Sequence, residues 1–210
     1  MKPAIAALLL LAAGAAQGQV RDPDLTDRLL RAIAEDKEPV AAVLVLGGRV
    51  DVHARNAARE TPLHLAAEKN MQALTRLLLD AGGRVRARTA TGETPLHLAA
   101  LNADPACTVL LLVAGADARA LNDHGESALH WAALGGNAAV ARLLLERGAD
   151  PDAPDLDGHL ALHGAADGGH AQTVRLLLAR TRDPGRKNLA GKSAQDLARE
   201  RGHHEVARLF

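Results

Sequence analysis

The stretch Thr94-Pro-Leu-His-Leu-Ala-Ala100 decides how this chain folds, because it recurs. One copy precedes it, Thr61-Pro-Leu-His-Leu-Ala-Ala67. Two looser copies follow, Ser127-Ala-Leu-His-Trp-Ala-Ala133 and Leu160-Ala-Leu-His-Gly-Ala-Ala166. Their starts lie 33 residues apart each time. Three leucines follow at fixed offset, at 77–79, 110–112, 143–145 and 176–178, and then a turn with Gly82, Gly115 and Gly148 in register. Self-similarity at this period marks an array of stacked units, each burying an apolar face that it cannot bury alone.

Each period reads helix, short turn, helix, long turn. Thr61-Pro62 and Thr94-Pro95 start helices, a threonine N-cap followed by proline where no N–H is needed. Gly136, Gly169 and Gly202 fall between paired helices, with Asn70 as the substitute in its unit, and Gly92, Gly125, Gly158 and Gly191 mark the tips of the long turns. Composition agrees with helices. Apolar residues make up 48% of the 210 but aromatics only 1%, so the core is built from Ala, Leu and Val. Lysine plus arginine balance aspartate plus glutamate at 25 each, which leaves no basic field to attract nucleic acid.

These residues resemble the ankyrin repeat, whose hallmark is Thr-Pro-Leu-His within a unit of about 33 residues. The resemblance covers roughly residues 25–210. It implies an all-α solenoid of stacked helix-turn-helix units with hairpin-like fingers, divided as an N-terminal capping repeat at 19–60, repeats at 61–93, 94–126, 127–159 and 160–192, and a C-terminal capping half-repeat at 193–210. In the first unit, helices are expected at Thr26–Glu35 and Glu38–Leu46; in the last, Asp196 stands where histidine was. Terminal units need a polar outer face. Both ends read as caps, so the chain reads as a complete array of six units.

Several positions break the pattern. Arg59 replaces a fingertip glycine, and the first finger, Gly47–Glu60, is longer than the others by one residue. Ala103-Asp-Pro105 replaces the usual Gly-His turn, Leu160 replaces an N-cap threonine, and Thr181 stands at a finger glycine. Fingers one and five are therefore expected to be the least regular. Trp131 is in register with Leu65 and Leu98 and reads mainly as core, with Gly164 one unit later expected to make room for its indole.

Ten histidines invite metal or acid-base chemistry. His64, His97, His130 and His163 share one position, which the resemblance makes structural: the ring hydrogen-bonds backbone between neighbouring units. Units stacked roughly 10 Å apart also hold such rings too far apart to share a zinc. His124 and His159 lie on adjacent fingers, where a partner could reach them. Asp150, Asp152, Asp155 and Asp157 lack EF-hand spacing. Cys107, the one cysteine, falls in register with the inward-packing Val140 and reads as core. No phosphate loop, nucleophile elbow or His-Glu-x-x-His pair is present. No catalytic residue, metal or cofactor is expected.

The resemblance places binding on the concave face, made by the fingers and the first helices. The register gives Leu101, Asn102 and Leu134 on the helices, and Arg86, Arg88, Thr91, Asp123, His124, Glu126, Leu156, Asp157 and His159 on the fingers. Leu101 and Leu134 form an apolar centre with a polar rim, the usual anatomy of an interface. Val109 and Val113 suggest a second exposed patch on the convex side. The expected function is a monomeric module that binds a protein partner as an accessory, protective or inhibitory factor. The alternatives are a secreted effector acting on a host protein, and a metal-dependent enzyme using finger histidines and aspartates.

Residues 1–18 read as an export signal. Lys2 gives the basic start, Ala4 to Ala13 is an unbroken apolar run, and Ala16-Gln17-Gly18 offers a cleavage site. The run falls short of the roughly 20 apolar residues that span a bilayer, so no membrane span is expected after cleavage, and the mature protein is expected in the periplasm or medium. Intact-mass measurement of exported protein should give a chain that begins at Gln19; retained Met1 would refute the signal.

Overall fold

The structure, a computed structural model, describes residues 21–210; the export signal read at 1–18 lies outside the described residues. Within them, twelve α-helices pair into six helix-turn-helix units. The first helices of the units are α1 (Pro23–Ala34), α3 (Pro62–Glu68), α5 (Pro95–Ala100), α7 (Ala128–Leu134), α9 (Ala161–Asp167) and α11 (Ala194–Glu200). The second helices are α2 (Glu38–Leu46), α4 (Gln72–Asp80), α6 (Ala106–Val113), α8 (Ala138–Glu146), α10 (Ala171–Leu178) and α12 (His204–Ala207). First helices stack on first helices throughout, and second helices on second at α2–α4, α4–α6, α8–α10 and α10–α12.

Helices this short are unstable alone, so stacking must hold them. Leu63, Leu96, Leu129 and Leu162 are buried at one register position, and the paired alanines at 66–67, 99–100, 132–133 and 165–166 are buried beside them. Alanine lets neighbouring first helices approach closely, which explains a core without bulky side chains.

The shared histidine links each unit to the next. Nδ1 of His64, His97, His130 and His163 accepts the N–H of Thr61, Thr94, Ser127 and Leu160 at 3.0–3.2 Å. An accepting Nδ1 leaves the proton on Nε2. That Nε2–H donates to the carbonyl of Glu93 from His64, of Glu126 from His97 and of His159 from His130, at 3.1–3.2 Å. His163 breaks the series. Its N-cap is Leu160, which supplies no hydroxyl, and its buried Nε2 has no hydrogen-bond partner. In the last unit Asp196 takes over the Nδ1 role, accepting Ser193 N–H at 3.0 Å and the Ser193 hydroxyl at 2.7 Å.

The fingers repeat with equal regularity. Asn56, Thr89, Asn122, Asp155 and Asn188 each accept, at a side-chain oxygen, the N–H four residues on, at 2.7–3.0 Å. Adjacent fingers join by Ala90 N–H to Ala58 O, Asp123 to Thr91, Leu156 to His124 and Leu189 to Asp157, at 2.9–3.0 Å. Fingers one and five are irregular as expected. Arg59 holds a φ of +61° at the tip, a left-handed conformation that costs an L-residue about 1 kcal/mol or more. The turn directly after α10 has no left-handed residue at Thr181, whose N–H instead donates to Leu177 O at 2.8 Å.

Two expectations for the first unit need correction. Helix α1 begins at Pro23, not Thr26, because Asp22 caps it, accepting Asp24 N–H at 3.0 Å. The outer face is polar on α1, where Asp27, Arg28 and Arg31 are exposed, but α2 exposes Val40 and Val43.

Burial holds all four histidine rings below the ordinary imidazole range, which agrees with their neutral hydrogen-bonding pattern. Their stability contribution is complete above the unfolded-chain value of about 6.5 and is lost as pH falls below it, because the unfolded chain binds protons that the folded one refuses. Tm should therefore be flat from about pH 8 to 7 and fall on acidification below about 6.5. Asp196, held low chiefly by its bonds to Ser193, keeps its contribution until the pH falls into the far more acidic carboxylate range. A Tm unchanged between about pH 7 and 5 would contradict the neutral ladder.

Candidate functional site

Two first-helix ends carry exposed leucines. Leu101 follows the last residue of α5 and is 46% exposed; Leu134 ends α7 and is 57% exposed. Residues after them turn inward. Asn137 Nδ2 donates to Ala100 O at 2.9 Å, His170 Nε2 to Leu134 O at 2.9 Å and His203 Nε2 to Asp167 O at 3.0 Å. Each bond satisfies a carbonyl that a helix C-terminus leaves open. These three donors share one register position, which in the third unit holds Asp104, a residue with no donor when ionised.

Asn102 makes up that deficit. Its Nδ2 donates to Ala67 O at 3.1 Å and Glu68 O at 3.0 Å. Expected as a partner contact, its amide is also bonded to the preceding helix. Several finger residues are committed likewise. Arg86 Nε donates to Gly115 O at 3.2 Å, and Arg88 staples the second finger to the third through Leu121 O at 2.9 Å and Asp123 Oδ1 at 3.0 Å. Thr91 Oγ1 donates to Glu93 at 2.6 Å. The side chains of His124, Leu156 and Asp157 are exposed at the fingertips. On the convex side Val109 and Val113 are exposed as expected.

Glu126 and His159 stand deeper. Glu126 Oε2 accepts Asn122 Nδ2 at 2.8 Å and the indole Nε1–H of Trp131 at 2.9 Å. His159 Nε2 faces Asn188 Nδ2 at 2.8 Å, and its Nδ1 lies 3.3 Å from Asp155 Oδ2. Asn188 spends its oxygen on Lys192 N–H, so its amide must donate to Nε2. His159 is thus held from both sides, Nε2 by the Asn188 amide and Nδ1 by the Asp155 carboxylate.

Trp131 is half-buried rather than core, its ring set edge-on to His97 with centroids 5.8 Å apart. Gly164 does not relieve a clash with it. A Cβ there would meet Leu134 first, at 3.6–3.7 Å, an ordinary contact. Its missing side chain instead helps open a cavity of about 320 Å³ between α7, α9, α11 and the fingers, lined by Trp131, Leu134, Gly164, Asp155, Glu126 and Leu197 among others. The signal for this cavity was in the sequence, since Gly164 stands where four other units carry Leu65, Leu98, Trp131 and Leu197. At its far rim Asp167 pairs with Arg201 at 2.8 Å.

Among the described residues, no group of three or more His, Cys, Asp or Glu side chains is placed to hold a metal. In the acidic stretch, Asp152 accepts both the N–H and the Nε of Arg182, at 3.0 and 2.8 Å. Cys107 is fully buried, 3.3 Å from Thr75 Oγ1, and burial pushes its thiol up, away from the reactive thiolate.

Asn102→Ala should lower stability by about 1 kcal/mol, the net worth of the bonds to Ala67 and Glu68. Urea unfolding measures this; an unchanged midpoint would show that water replaces the amide at no cost.

Among the described residues no helix is long and apolar enough to cross a membrane. No curated protein matches the chain. The family model described as ankyrin repeats (3 copies) matches residues 29–118 and again residues 100–189. With the helix pairs, the histidine ladder and the joined fingers, this match shows that the chain belongs to the ankyrin-repeat family.

Proposed function

We propose that this protein is exported and binds one protein partner through its concave groove, as an accessory, protective or inhibitory factor. Ankyrin arrays are protein–protein interaction modules and are typically not enzymes, and the groove here suits that role. The observation that carries the reading is the exposure of Leu101 and Leu134 on successive first helices, where neighbouring residues are engaged in hydrogen bonds. Large apolar side chains held on short, tightly bonded helices lose little freedom on binding, so their burial converts efficiently into affinity. Residues 1–18 support export, to periplasm or medium, and a secreted effector differs from this reading only in where the partner comes from.

Crosslinking and affinity capture from periplasm and medium, followed by mass spectrometry, should return a stoichiometric partner. Leu101→Arg combined with Leu134→Arg should abolish its capture while leaving Tm within a few degrees, since both side chains face solvent. Unchanged affinity in the double variant would move the interface away from the groove.

A further inference from the structure

The cavity beside Leu134 has a charge pattern that the groove reading does not use. Its walls are apolar at Trp131, Leu134 and Leu197, and Gly164 removes the side chain that would fill it. Two carboxylates, Glu126 and Asp155, stand on its finger side. Neither pairs with a cation. Glu126 accepts only the neutral Asn122 amide and Trp131 indole. Asp155 accepts the backbone N–H groups of Asp157 and His159 at 2.9 and 2.7 Å, and its other oxygen faces Nδ1 of His159 at 3.3 Å. His130, between the two, offers no charge either, since its Nδ1 accepts Ser127 N–H and its Nε2–H goes to the His159 carbonyl. Arg201, the arginine in the cavity lining, is committed to Asp167. The cavity therefore sets two carboxylates with no lysine or arginine partner against an apolar wall and an anchored indole.

We propose that this cavity receives a lysine or arginine side chain of the protein partner. A hydrocarbon stem bearing a cationic head matches an apolar wall that ends in carboxylates, and an indole beside the head adds cation–π attraction. The volume, about 320 Å³, is at the small end of ligand sites and suits one long side chain. An anion is repelled by Glu126 and Asp155. A purely apolar side chain would strip water from both carboxylates without replacing it. The inference rests on the groove as the binding face and adds the chemistry of one contact.

Trp131 is the only tryptophan, and there is no tyrosine, so intrinsic fluorescence reports this cavity alone. The full-length chain is titrated with Nα-acetyl-lysine amide, Nα-acetyl-arginine amide and, as the uncharged match, Nα-acetyl-norleucine amide. Both cationic probes should give a saturable change that weakens with salt, and norleucine should bind about tenfold more weakly, the worth of one charge-assisted contact. Glu126→Gln should bring the cationic probes down to the norleucine level, and Gly164→Leu, which fills the cavity, should abolish all binding. Norleucine binding equal to lysine, or no response to any probe, overturns the proposal. If the probes fail while the Leu101 and Leu134 double variant still loses its partner, the groove stands and only the cationic contact falls. If the probes bind while that variant keeps its partner, the groove reading falls instead.

Discussion

A neutral imidazole that accepts on one side and donates on the other holds this array together. His64, His97 and His130 each fix the start of their own helix through Nδ1 and the base of the next finger through Nε2. The two bonds are reciprocal constraints. The N-cap sets the tautomer, and the tautomer provides the donor that reaches into the following unit. Burial keeps the ring uncharged, so the same apolar stacking that removes water also preserves the bond that aligns the stack. Where the N-cap hydroxyl is lost, at Leu160, the ring of His163 keeps only its backbone contact and leaves Nε2 unpartnered. That defect lies beside the cavity.

A second ladder runs along the opposite end of the first helices. Asn137, His170 and His203 close the carbonyls that each helix leaves open in the unit before. Between the two ladders, both ends of the short helices α5, α7 and α9 are tied to backbone or to neighbours. This leaves the exposed side chains at the helix ends as fixed points. A groove built so can present Leu101 and Leu134 to a partner without first ordering itself.

The period, the helix pairs and the histidine role were legible in the sequence because each depends on a residue type at a repeated offset. The irregular fingers were legible for the same reason: Arg59 and Thr181 stand where the backbone of other units calls for glycine. What was not legible depends on which atom reaches which across neighbouring units. Asn102 looked like a free contact residue because its spacing fits the binding surface; only the absence of a donor at Asp104 draws its amide inward. Gly164 was read as relief for Trp131, but the indole is anchored to Glu126, and the missing side chain leaves space instead. The twelve candidate site residues thus divide by hydrogen bonding, a property that no single-position pattern records.

The bonds between units have a consequence for how the chain acquires its structure. Among the described residues, no side-chain hydrogen bond joins positions more than 37 apart. Each closure therefore forms a loop of about one unit, and the entropy of closing it does not grow as the array lengthens. Low contact order of this kind favours fast folding that can begin in any unit and spread to its neighbours. A chain supplied gradually from one end can fold as it arrives, with each finished pair of helices serving as the template for the next.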